Sequence, residues 1–200
     1  MRHFMSEAGD KKSEEKADKT GEQSLISKKY LEKRMVFLWG GVDDDSAKHV
    51  IDRLFYLDAD KPGEEINFFI NSPGGYVTSG MAVYDAMQMI QSPVNTICMG
   101  LAASMGSILL SGGQKGKRAI FKHGRVMIHQ PSLGGFQGTA SDIEIQSKEI
   151  LKIKELSAHI LADNCGQTFE KVMKDFNRDH WLNAEEALKY GIVDSIQEKM

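Results

Sequence analysis

Cys98-Met99-Gly100-Leu101-Ala102-Ala103-Ser104-Met105-Gly106-Ser107-Ile108-Leu109-Leu110 is the stretch on which the fold turns. The run from Val94 to Met99 is apolar and strand-like, and Gly100 interrupts it. Small residues then allow close backbone approach before a helical run begins at or near Ser104. The serine at this junction has two readings. Its hydroxyl can cap the helix, which is the commoner reason for a serine there. It can also stand clear at the helix N-terminus, where free amides and the helix dipole favour negative charge. That second geometry suits a nucleophile that passes through an oxyanion.

Working outward, the same alternation repeats on both sides. Met35-Val36-Phe37-Leu38-Trp39 before Gly40-Gly41 reads as a buried strand. Asp43-Asp44-Asp45-Ser46 lacks the interleaved ligands and the glutamate of a calcium loop and reads as a helix cap. In the helix it opens, Val50, Leu54 and Leu57 share a face with Ile51 and Phe55. Ile66 to Ile70 is a second strand, and a helix from about Thr78 carries Met81, Tyr84, Met87 and Gln88 along one side up to Pro93. After the Ser104 helix, strands are expected over Arg118 to Phe121 and Arg125 to His129, and a last one over Ile192 to Ile196. Strand and helix in regular alternation predict an α/β fold with a mainly parallel sheet.

Between these lie a glycine-rich extended segment, Pro131 to Gly138, and a long helix from about Ser141 to Asp163. That helix exceeds what a small domain needs for its own core, so it is expected to project and pack on another subunit. Thr168 opens a further short helix, Asn183 with Glu186 makes a capping box, and Gly191 is a C-terminal cap.

Two hundred residues suffice for one domain with a full core, and the formal net charge of −3 gives no basic footprint for nucleic acid. Cys98 and Cys165 are too few for a disulfide framework and read as buried thiols in a reducing, cytoplasmic setting. No apolar run has the length of a membrane span, so no membrane partner is expected. Residues 1–23 are polar and of mixed charge, and are expected to be a disordered tail ahead of one domain over residues 24–200. Leu25 to Leu31 reads as a short amphipathic helix.

A serine needs a base to take its proton. Among the six histidines, His3 falls in the tail, His49 and His159 on charged helices and His123 in a turn. His129 ends an apolar strand, where α/β folds place reactive groups, although a satisfied core histidine fits the spot equally well. For the carboxylate that would orient it, Asp175, Asp179 and Asp194 stay open. Asp179 lies in an expected loop between two short helices. Gly74-Gly75 can present oxyanion-binding amides, as can Met105, and can equally be an ordinary turn.

Asn71-Ser72-Pro73-Gly74-Gly75, Gly100 to Gly106 and Arg125-Val126-Met127-Ile128-His129-Gln130-Pro131 stand together in one order. Arg178-Asp179, Trp181, Glu186-Ala187 and Tyr190-Gly191-Ile192-Val193-Asp194 follow. From about Lys33 onward this pattern resembles the proteolytic subunit of the Clp protease, the ClpP family. The resemblance implies a crotonase/ClpP-like α/β fold with a protruding handle helix, and a serine endopeptidase. It implies Ser104 as nucleophile, His129 as general base and Asp179 as the orienting carboxylate, with the amides of Gly75 and Met105 as the oxyanion hole. An extended peptide would lie between Gly75-Tyr76-Val77-Thr78 and Leu133-Gly134-Gly135. No metal or other cofactor is implied for the peptidase. ATP would be used by a partner AAA+ unfoldase of the ClpX or ClpA/ClpC type, which would feed unfolded proteins into a tetradecamer of two stacked heptameric rings. The segment before Lys33 lacks the family's usual start, Leu101 and Asn177 replace more usual residues, and Ser132 resembles an insertion. These departures resemble a second, divergent paralogue of the kind that joins mixed assemblies. An acyl-CoA enzyme of the same superfold would use amides and carboxylates, so a Ser-His-Asp set argues against it. The remaining rival is a ring subunit that is silent until a partner orders it.

Overall fold

The computed structural model describes residues 25–135 and 137–199, so the expected tail and residue 24 lie outside the described residues. Residues 25–32 form a helix, α1, with a Lys29–Glu32 ion pair of 2.6 Å one turn apart.

From there the chain alternates as β1 (Met35–Trp39), α2 (Asp44–Asp60), β2 (Ile66–Ser72), α3 (Val77–Met89), β3 (Val94–Ala103) and α4 (Met105–Ser111). Then come β4 (Ala119–Phe121), β5 (Arg125–Ile128), α5 (Ala140–Cys165), α6 (Phe169–Asp175), β6 (His180–Leu182), α7 (Ala184–Tyr190) and β7 (Ser195–Gln197). The seven strands make one sheet in the order β1-β2-β3-β4-β7, with β5 on β3 and β6 on β5. Pairing is parallel for β2/β3, β3/β4, β3/β5 and β4/β7, and antiparallel only for β5/β6 among these pairs. This is the α/β architecture that the alternation predicts. No helix among the described residues is long and apolar enough to cross a membrane.

Local chemistry explains the elements. Asp43 caps α2 by accepting from the Ser46 amide, and Ala47, Val50, Leu54 and Leu57 form its buried stripe. Ile51 and Phe55 fall to the side of that stripe, Phe55 being exposed. In α3 the buried residues are Ser79, Gly80, Val83, Ala86 and Met87, so of the row Met81, Tyr84, Met87 and Gln88 only Met87 is buried. The cause is a close crossing: a Cβ on Gly80 would lie 2.1 Å from the Met105 side chain. Small residues, rather than large ones, therefore mark the inner face.

The largest correction concerns β3, which runs through Gly100 to Ala103 instead of stopping at Met99. Gly100 adopts φ +90°, a left-handed value that L side chains disfavour. Before it, Ile97 and Cys98 pair with Ala119 and Ile120 of β4; after it, Leu101, Ala102 and Ala103 pair with Arg125, Val126 and Met127 of β5. One strand thus serves two successive neighbours and delivers Ser104 beside the end of β5.

At the C-terminal end, the last strand is Ser195–Gln197, and Ile192 and Val193 are buried ahead of it. Asp194 instead receives the buried Arg118 guanidinium, at 2.6 and 2.9 Å. Burial pushes the Asp194 carboxyl up, but the Arg118 hydrogen bonds and charge outweigh it and hold the group below the usual carboxylate range. The long helix α5 buries residues only from Ser157 onward; none of residues 140–156 is buried, and Ile143, Ile145 and Leu151 are exposed. A helix with its first 17 of 26 residues unburied is the projecting element that its length predicts.

Candidate active site

Ser104 occupies the N-cap position of α4, yet its side chain makes no capping hydrogen bond. Its backbone takes φ 55° and ψ −122°, a region that costs a non-glycine residue about 1–3 kcal/mol. Surrounding bonds hold it there: the Ser104 amide donates to the Met127 carbonyl at 2.8 Å, and its own carbonyl accepts from the Ser107 hydroxyl at 2.6 Å. The strained turn swings the hydroxyl away from the helix amides and toward β5. Ser104 Oγ stands 2.8 Å from His129 Nε2. Of the two readings of this serine, capping is therefore set aside by the side chain's direction.

His129 follows the last residue of β5, and its other ring nitrogen, Nδ1, lies 3.1 Å from Asp179 Oδ1. The register of β5 against β6 explains why this aspartate meets it. Ile128 pairs with His180 in antiparallel sense, so the next residue on β5 faces the preceding one on β6. Two further bonds tie the same segments: the Gln130 amide donates to the Phe176 carbonyl at 2.6 Å, and Gln130 Nε2 donates to the Asn177 carbonyl at 2.7 Å. Asp175 is engaged elsewhere, with Lys171 and the Tyr190 hydroxyl, and Asp194 with Arg118. Sequence spacing gave no sign of β6, because a three-residue strand in a polar setting carries no periodicity.

After the end of β2, Gly74 presses against the serine and Gly75 against Val42. A Cβ on Gly74, at φ +90°, would lie 2.6 Å from Ser104 Cβ and 2.8 Å from the Ala103 carbonyl oxygen. One on Gly75 would lie 2.1 Å from the Val42 carbonyl oxygen. Val42 and Gly75 form a parallel bridge in which the Val42 amide donates to the Gly74 carbonyl at 2.9 Å and the Tyr76 amide to the Val42 carbonyl at 2.8 Å. The bridge thus uses the groups on either side of the Gly75 amide and not that amide itself. Met105 is the first residue of α4, where an N–H has no intrahelical acceptor.

Of the expected substrate-binding segment, Gly75 and Tyr76 are exposed and Tyr76 is extended, whereas Val77 and Thr78 already belong to α3. Leu133, Gly134 and Gly135 are exposed and outside regular structure. Of the other described histidines, His159 stacks on Phe169 at 4.3 Å, His180 follows Asp179 on β6 with its ring tilted toward Tyr190 at 6.0 Å, and burial lowers the His49 imidazole below its ordinary value. Cys98 and Cys165 are buried thiols pushed up to about 12, chiefly by burial.

The arrangement can take a proton from the serine hydroxyl onto an imidazole and steady the resulting cation with a carboxylate. A family model described as Clp protease matches residues 18–200, a span that contains every residue of this arrangement.

Proposed function

The chain belongs to the Clp protease family, and from that premise we propose that it is a serine endopeptidase acting within an ATP-dependent, ring-forming assembly. The observation that carries this reading is the serine released from capping and joined through His129 to Asp179.

In the proposed reaction, Ser104 Oγ attacks the carbonyl carbon of an extended peptide, and its proton passes to His129 Nε2. His129 Nδ1–H donates to the Asp179 carboxylate, which holds the imidazole in the tautomer that can accept. The negative charge that develops on the carbonyl oxygen is received by the amides of Gly75 and Met105. Collapse breaks the C–N bond, His129 returns its proton to the departing amine, and an ester on Ser104 remains. Water then attacks that ester with His129 again as base, which frees the carboxylic acid and restores the serine. The Gly75–Tyr76 edge and the Leu133–Gly135 segment would hold the peptide by its main chain, which reads little sequence and suits unfolded protein substrates.

The assembly we propose is a cytoplasmic tetradecamer of two heptameric rings, with the projecting part of α5 as the inter-ring handle. An AAA+ unfoldase of the ClpX or ClpA/ClpC type would hydrolyse the ATP. The departures from the family pattern at Leu101, Asn177 and the N-terminal segment support a divergent paralogue within mixed rings. Co-purification with a tagged standard subunit checks that point, and repeated recovery of this chain alone would count against it.

The direct test is fluorophosphonate treatment of the full chain, read by intact mass, with Ser104→Ala alongside. One adduct on the wild type and none on the variant is the expected result. Equal masses for both would overturn the activated-serine reading.

A further inference from the structure

One contact near this site is not needed by the Ser104–His129–Asp179 chain. Ser79, buried in the first turn of α3, donates from Oγ to Asp44 Oδ1 at 2.5 Å. Asp44 is the first residue of α2 and lies two positions after Val42, the residue that brackets Gly75. The segments 42–44 and 74–79 are therefore tied twice, by main chain around Gly75 and by side chains at Ser79.

Neither helix requires the second tie for its own formation. Asp43 already caps α2 through a capping box with Ser46, and α3 begins without a side-chain cap. A hydroxyl given to a carboxylate is a strong, short bond of about 2.5–2.7 Å, so it fixes the spacing of the two helix starts. The Gly75 amide itself takes part in neither tie: Gly74 and Gly75 stand at φ +90° and +156°, conformations open to glycine, so no side chain of their own fixes the direction of the peptide between them. The direction of the Gly75 amide is thus set from outside the glycine pair.

We propose that Asp44 and Ser79 form a positioning latch that aims the Gly75 amide at the carbonyl oxygen of a bound substrate. The inference rests on the peptidase reading above. Asp44 and Ser79 act through the backbone of residues 74–78 and do not touch the reacting atoms.

The test compares the full-length wild type with Ser79→Ala, Asp44→Ala, Asp44→Asn and the double Asp44→Ala/Ser79→Ala. A fluorogenic peptide gives kcat and KM, thermal unfolding gives Tm, and hydrogen exchange follows peptides covering residues 74–79. Ser79→Ala leaves the carboxylate in water and no buried group unpaired, so a purely structural contact predicts little change anywhere. A latch predicts that kcat falls about 10-fold while KM stays within about twofold, as for an interaction made only in the transition state. It also predicts an unchanged Tm and faster exchange confined to residues 74–79. Asp44→Asn keeps an acceptor and should retain most activity, and the double variant should be no slower than the slower single one. Wild-type kcat in Ser79→Ala, or a rise in KM alone, would overturn the latch. Absence of any Ser104-dependent turnover in the wild type would instead sink the peptidase reading. Exchange at 74–79 would then still decide the latch: no change there in Ser79→Ala would overturn it as well.

Discussion

Ser104 sits among buried backbone and glycines that a single methyl group would collide with, whereas Asp179, at the other end of the same chain of contacts, has 61% of its side chain exposed. The serine end is fixed by sterics: Gly74 lies against Ser104 Cβ, and Ser72 beneath Gly106 is fully buried. The carboxylate end is fixed by register, through β6 on β5 and the Gln130 bonds to Phe176 and Asn177. Sterics leave few alternative positions, while a short edge strand can separate from its neighbour at modest cost. The two ends should therefore fail differently when perturbed.

The largest effect belongs to the crowded end. Ser104→Ala should remove peptide hydrolysis almost wholly, by about 10⁶-fold, as loss of the nucleophile does in a serine protease. A variant with a substantial fraction of the wild-type rate would move the chemistry elsewhere. Asp179→Asn comes next. A buried orienting aspartate is worth about 10⁴ in kcat, and because Asp179 is largely solvated we expect about 10³. A loss as great as that of Ser104→Ala would erase the distinction between the two ends.

Gly74→Ala probes the crowding itself. The new Cβ would strain the φ +90° backbone and force Ser104 away from the His129 ring. A displacement of about 1 Å costs roughly 100-fold, so we expect a loss of that order in kcat with folding retained. Near-normal kcat would show that the serine end yields more than its contacts imply. At the exposed end, Gln130→Ala removes one tie between β5 and the Asn177 loop but keeps the backbone bond to Phe176. There the expected loss is only about 10-fold, in keeping with the roughly 0.5–1.5 kcal/mol of one neutral side-chain hydrogen bond. Steady-state kinetics on a short peptide measures all of these on one scale.

The same contrast explains what could be read from the sequence. The Ser104 region was legible because its constraints are local: an apolar run, a glycine, small residues, then a helix. The caps at Asp43, Thr168 and Asn183 and the αL glycine at 191 were equally plain, since each acts within a turn or so of itself. The choice among Asp175, Asp179 and Asp194 was not, because it depends on pairing between β5 and a strand some fifty residues away, in sequence too short to show a period. Only the likeness to a family singled out Asp179. The inner face of α3 is not legible for a related reason: its burial follows the Met105 side chain lying over Gly80, a contact no periodicity contains.

The smallest effect expected is no reaction at all, and it tests the crowded end without touching it. Cys98 lies in β3 between Ile70 and Ile120, and burial, the largest influence, pushes its thiol up to about 12. Cys165, at the end of α5, is raised to the same value by burial. At pH 8 each would be about one part in ten thousand thiolate, the form that alkylates. Native protein should therefore gain no mass from iodoacetamide over hours, whereas protein unfolded in urea should take up one adduct at each cysteine. The informative comparison is between the two thiols as urea is raised below the unfolding midpoint. Cys165 is the last residue of α5, a peripheral helix outside the sheet, while Cys98 stands in the central strand that carries Ser104, so Cys165 should become reactive first. Earlier labelling of Cys98 would mean that the β2–β3 core opens before the periphery, and the serine end could then no longer be the firmer of the two.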